Sequence, residues 1–126
     1  MGDELMAVLE DTSTFKDIEK VLQIALQRDG LSKQKLVWCE ELSELTKAIT
    51  KEARYGLTDK AWADIVEEIS DVLICVIEMM ILYHVRETTI IPSMGIKIKR
   101  TLERLSSYNV NDSANTDSQG NANTKD

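Results

Sequence analysis

Apolar residues recur along most of the chain at helical spacing. Phe15, Ile18, Val21, Leu22 and Ala25 form one stripe. Trp38, Leu42, Leu45 and Ile49 form a second. Trp62, Ile65, Ile69, Val72, Val76 and Met80 form a third. The punctuation between stripes predicts where each helix begins and ends. Thr14 caps the first, with Asp17 three residues on as a variant capping box. Arg28-Asp29-Gly30 closes it, with glycine just past the end. Ser32 caps the second helix, which runs to about Arg54 and stops at Gly56. Thr58 and Asp59 open the third, which reaches roughly His84 or Val85. The β-branched run Thr88-Thr89-Ile90-Ile91 before the only proline, Pro92, reads as a connection, and a fourth helix runs from about Ser93 to Ser106. The pattern therefore predicts an all-α fold of four-helix bundle type with two long antiparallel central helices. Each of those would span roughly 35 Å at 1.5 Å per residue.

Composition sets the boundaries of the domain. Residues 1–13 form a short preamble, and residues 14–105 carry the helical domain. From 106 to 126 the chain is Asn, Ser, Asp, Thr and Gly with almost no large apolar residue. Such a stretch cannot bury enough surface to offset its ordering entropy, so a disordered polar tail is expected. With 126 residues there is room for one core only. Five glycines and one proline are too few for a sandwich or barrel. A net charge of −7 excludes a general nucleic-acid binder, which needs a basic field. The longest apolar stretch, Val72 to Tyr83, is interrupted by Glu78 and is too short for a membrane span. Two cysteines, Cys39 and Cys75, make no disulfide framework and are expected in or near the core. A cytoplasmic location is the expectation that follows.

One feature carries chemistry. The second helix holds Glu40-Glu41-Leu42-Ser43-Glu44-Leu45, and the third holds Glu67-Glu68-Ile69-Ser70-Asp71-Val72, offset by 27 residues. Each copy reads acid, acid, apolar, serine, acid, apolar. Glu41 and Glu44 lie one turn apart on one face, as do Glu68 and Asp71. Both pairs border the expected core stripes, so antiparallel packing brings four carboxylates together. Two like charges about 4 Å apart cost about 4 kcal/mol at an effective dielectric of 20. A divalent cation offsets that repulsion. All-oxygen ligands suit Mg²⁺ or Mn²⁺, and Mg²⁺ is commonly shared with substrate phosphates. Lys47 and Lys51 continue the Glu44 side of the second helix, while Lys97, Arg100 and Arg104 share one face of the fourth. Such cations are what a polyphosphate needs. The bland alternative is a pair of solvated acidic faces with ordinary intrahelical ion pairs. Trp38 and Trp62 read as core anchors, and His84 as a C-terminal cap of the third helix.

These residues resemble the MazG-like all-α nucleoside triphosphate pyrophosphohydrolase superfamily, in its short phage-type form. Its pattern is EExxE, a spacer, then ExxD on the next long helix. Here that is Glu40-Glu41-x-x-Glu44, twenty-three residues, then Glu68-x-x-Asp71. The likeness covers roughly Gln34 to Leu105, and the ending IKIKRTLERL is similar to the basic last helix of short members. The fourth helix lacks an aromatic before its lysines, where Met94 and Gly95 stand. The resemblance implies hydrolysis of a nucleoside triphosphate, with a dNTP favoured, to the monophosphate and pyrophosphate. It implies metal ligands at Glu41, Glu44, Glu68 and Asp71, with Glu40 at the same catalytic site. Lys51, Lys97, Arg100 and Arg104 become candidates for phosphate contact. It further implies a homodimer or a dimer-of-dimers tetramer. Two other readings stand beside it: a phosphoribosyl-ATP-type pyrophosphohydrolase, and a non-catalytic acidic helical interaction module.

Overall fold

The computed structural model describes the backbone of residues 13–119 and the side chains of 14–108. The expected preamble lies almost wholly outside the described residues, as do the last seven positions of the expected tail, residues 120–126. The described residues are helical, with four helices and no strand among them. They are α1 (Ser13–Asp29), α2 (Leu31–Tyr55), α3 (Asp59–Leu82) and α4 (Glu87–Gln119). None is long and apolar enough to cross a membrane among the described residues.

The helix boundaries follow local chemistry. Gly30 and Gly56 have φ of +83° and +86° with ψ near 167°, a conformation open essentially to glycine alone. The Gly56 N–H still donates to the Glu52 carbonyl at 2.7 Å. The expected Ser32 cap is replaced by Gly30 at the N-cap, with no side-chain cap bond, because Leu31 is already helical. Thr58 does open α3: its hydroxyl accepts the Ala61 N–H at 3.0 Å. At the other end, His84 takes a left-handed conformation (φ 53°). The Val85 N–H then reaches the Met80 carbonyl at 2.9 Å and the His84 N–H reaches Ile81 at 3.3 Å. This double bond pattern is a Schellman cap, so backbone geometry closes the helix at the residue for which a side-chain role was expected.

The described chain divides into two compact units, the first ending at Arg86 and the second beginning at Glu87. Helices α1 to α3 make up the first unit, and α4 forms a unit of its own. On α4 the apolar positions Ile98, Leu102 and Leu105 are all exposed. The helix also includes Thr88 to Pro92, expected as a connection. Pro92 sits in the second turn, where it cannot donate to the Thr88 carbonyl. The backbone stays helical to Gln119, through residues expected to be irregular. No Gly or Pro stands between Gly95 and Gly120, so a helix formed over 96–105 meets no breaker and propagates.

In the first unit, α2 and α3 form an antiparallel hairpin across the Gly56–Thr58 turn. Gln34 and Trp38 near the start of α2 meet Glu78 near the end of α3. Leu22 of α1, Trp38 and Cys75 make the core, with Leu26, Met79, Ile81 and Leu82 packed against it. The stripes are rotated from their expected phase. Leu42, Ile49, Trp62, Ile69 and Val76 are exposed rather than core residues, Trp62 by 61%. Cys39 is exposed too, while Cys75 is buried, and neither forms a disulfide. The inward stripe of α2 instead runs Gln34, Trp38, Glu41, Leu45, Ala48. That of α3 runs Ala61, Asp64, Glu68, Asp71, Cys75, Glu78. The acids thus lie within the helix–helix seam, not at its border.

Candidate metal centre

Register places the acids. Glu41 follows Trp38 by three residues, and Asp71 and Glu68 precede Cys75 by four and seven. These offsets put all three on the face that the core residues Trp38 and Cys75 turn inward. One carboxylate oxygen from each of Glu41, Glu68 and Asp71 lies within 4.8 Å of the other two. All three residues are half-buried. Oε2 of Glu68 is buried and has no hydrogen-bond partner. A buried acceptor without a partner is costly, so this oxygen is the atom of the cluster that most needs a donor or a cation.

Electrostatics agree with the geometry. Burial, then the charges of Asp71, Glu40 and Glu44, pushes the Glu41 carboxyl above its ordinary range. Burial, then Asp71, Glu44, Glu41 and Glu67, does the same to Glu68. Each carboxylate is thus held beside like charges. The donor set is all oxygen. The neighbouring thiol of Cys75 is pushed up to about 11 by burial and by Glu78, so it stays protonated and offers no soft ligand. The cluster could hold a metal ion, with carboxylate oxygens as its ligands.

Three of the four expected ligands come together. Glu44 lies close enough to raise both Glu41 and Glu68 but turns its Oε1 to Lys47 Nζ at 2.9 Å. Glu40 is exposed. Toward the turn, the seam narrows to Ala48 on α2 and Ala61 on α3. These small side chains leave a cleft of about 290 Å³, lined also by Glu44, Lys47, Lys51, Lys60, Asp64 and Glu68. Glu68 therefore belongs to both the acid cluster and the cleft. Lys51, expected at a phosphate, lines this cleft and makes no ion pair among the described residues. Lys60 was not legible as a site residue: it sits on the next helix and pairs with Asp64 at 2.8 and 3.1 Å. Only the folding back of α3 onto α2 brings it beside Lys51. Lys97, Arg100 and Arg104 share one face of α4 with Thr101 and Ser107, in the second unit.

Comparison with family models, with curated proteins and with solved structures gives no match for this chain. The fold and the cluster define an all-helical protein with a carboxylate site that could bind a metal ion.

Proposed function

We propose that this chain is a Mg²⁺- or Mn²⁺-dependent nucleoside triphosphate pyrophosphohydrolase, acting on dNTPs at the α-phosphate to give the monophosphate and pyrophosphate. The observation that carries the proposal is the meeting of Glu41, Glu68 and Asp71 around the unpartnered Glu68 oxygen. The EExxE and ExxD spacing and the cationic cleft beside the cluster support it. Glu41, Glu68 and Asp71 would hold the metal, and Glu44 would join them by leaving Lys47. The bound ion supplies charge neutralisation at the phosphate and a more acidic water. Glu40 or Glu67, beside Glu41 and Glu68 respectively, would orient the attacking water. Released Lys47 meets charge on the departing phosphates.

The exposed positions Trp62, Val66, Ile69, Leu73 and Val76 on α3 follow one another at steps of four and three. This is the spacing of a helix seam, and we assign it to a second copy of the chain. A reducing cytoplasm suits the two free cysteines.

The test is phosphate analysis of a dNTP panel incubated with the protein. Mg²⁺-dependent release of pyrophosphate, not orthophosphate, is expected, and it should be lost in Glu41→Gln and Glu68→Gln. A panel in which no nucleotide yields pyrophosphate with Mg²⁺ or Mn²⁺ overturns the activity. Wild-type turnover by Glu41→Gln overturns the site.

A further inference from the structure

We propose that the cleft beside the acid cluster is the seat of the ligand's terminal phosphates, with Lys51 and Lys60 as its recognition pair. The inference rests on the reading above and gives the bound triphosphate a direction. The metal cluster lies at the Glu68 end of the cleft, and the Gly56–Thr58 turn lies at the other. From Glu68 back to Lys60 the helix rises about 12 Å at 1.5 Å per residue. An anion held at the cluster and lying along the cleft therefore extends toward the lysines. The β- and γ-phosphates point to the turn, and the nucleoside points the opposite way.

Charge explains why the cleft is selective. Lys47, Lys51 and Lys60 line the cleft together with Glu44, Asp64 and Glu68, three cations among three carboxylates. With no ion at the cluster the cleft is electrically balanced and has little attraction for a polyphosphate. A divalent cation tips the balance, so phosphate binding here depends on metal. By linkage, pyrophosphate tightens metal binding by the same factor. Lys51 makes no ion pair among the described residues and is already available. The Lys60–Asp64 pair is solvent-exposed, with Lys60 exposed by 77%. Such a pair holds its partners weakly, and the ammonium swings to a phosphate at little cost. Lysine suits this task as a mobile point charge.

The test uses inorganic pyrophosphate as the probe, titrated calorimetrically into the full chain with and without Mg²⁺. Binding is expected with Mg²⁺ and at least about tenfold weaker binding without it, the factor that 1.4 kcal/mol represents. Lys51→Ala and Lys60→Ala should each weaken it severalfold, and the double variant more. Binding of Mn²⁺ alone, followed by its paramagnetic signal, should be unchanged in these variants. Unchanged pyrophosphate affinity in the double variant overturns the cleft assignment, even where wild-type protein hydrolyses dNTPs. A lysine-dependent, metal-dependent pyrophosphate complex supports it, even where hydrolysis is absent and the proposed activity falls. Competition by an unphosphorylated nucleoside, with the lysine variants inert, would place the base in the cleft and reverse the direction.

Discussion

The seam between α2 and α3 holds carboxylates at its open end and at its middle, and the two places are built on opposite principles. Near the open end of the hairpin, Glu78 is 5% exposed, yet its Oε2 accepts from Gln34 Nε2 at 2.7 Å and from Trp38 Nε1 at 3.4 Å. Burial raises its pKa, while those two hydrogen bonds lower it. At mid-seam, Glu41, Glu68 and Asp71 are less buried and gather against one another, with Glu44 close by. One carboxylate has been given donors by the fold, and the other group has not. A buried polar group that is satisfied tightens a core, whereas an unsatisfied cluster costs stability until something binds. The contrast separates an acid kept for structure from acids kept for a ligand, although both lie on the same helical stripe.

That contrast can be broken or sharpened by substitution. Trp38→Ala removes the side chain that packs against Leu22 and Cys75 and anchors the structural end. It should cost about 3–5 kcal/mol in denaturant unfolding. A loss below about 1 kcal/mol would mean that this end is not the core. Glu78→Ala leaves the Gln34 amide and the Trp38 indole without their acceptor, and should cost about 1–3 kcal/mol. Glu68→Gln should do the reverse and stabilise the metal-free protein, because it removes a charge that nothing in the fold offsets. Equal destabilisation by the two changes would erase the distinction between the two places.

The smallest effect is the dependence on pH. Glu41, Glu68 and Glu78 all have folded pKa values above their ordinary ones. Below the ordinary glutamate range, about 4.3, they are protonated in both states and the folded protein carries no penalty. As pH rises through the folded values their charges must form in place, and stability is lost. The metal-free protein should therefore be more stable at about pH 5 than at about pH 7. Asp29, held low by Arg28, opposes this only at more acidic pH. Glu41→Gln with Glu68→Gln should flatten the slope, and saturating Mg²⁺ should flatten it in the wild type. A wild-type protein that gains stability between pH 5 and 7 without metal would contradict the clustering of the acids.

Much of this was legible in the sequence where the signal is local. Thr58 at the start of α3, Gly30 and Gly56 at the helix ends, and the two acidic hexads all act within a few residues of themselves. The phase of the stripes was not. α3 carries two apolar faces, and periodicity cannot say which one meets the same chain. Trp62, Ile69 and Val76 look like core and are exposed, while Glu68, Asp71 and Cys75 take the inward positions. Glu44 has the same spacing from Glu41 as Asp71 has from Glu68, but it has Lys47 three residues on, and the ion pair turns it aside. Lys60 could not be seen because its neighbours in the cleft come from another helix. The helix through Pro92 escaped notice because a proline near a helix start is tolerated more readily than one in mid-helix.

The central claim is that the Glu41–Glu68–Asp71 cluster is a cation site. Unfolding of the wild-type chain, Glu78→Ala and Glu68→Gln against Mn²⁺ or Mg²⁺ concentration measures it most directly. At about 100 times the dissociation constant, the ion should add roughly 2.7 kcal/mol to wild type and to Glu78→Ala, and little or nothing to Glu68→Gln. No gain in the wild type at any metal concentration, or the same gain in Glu68→Gln, would contradict it.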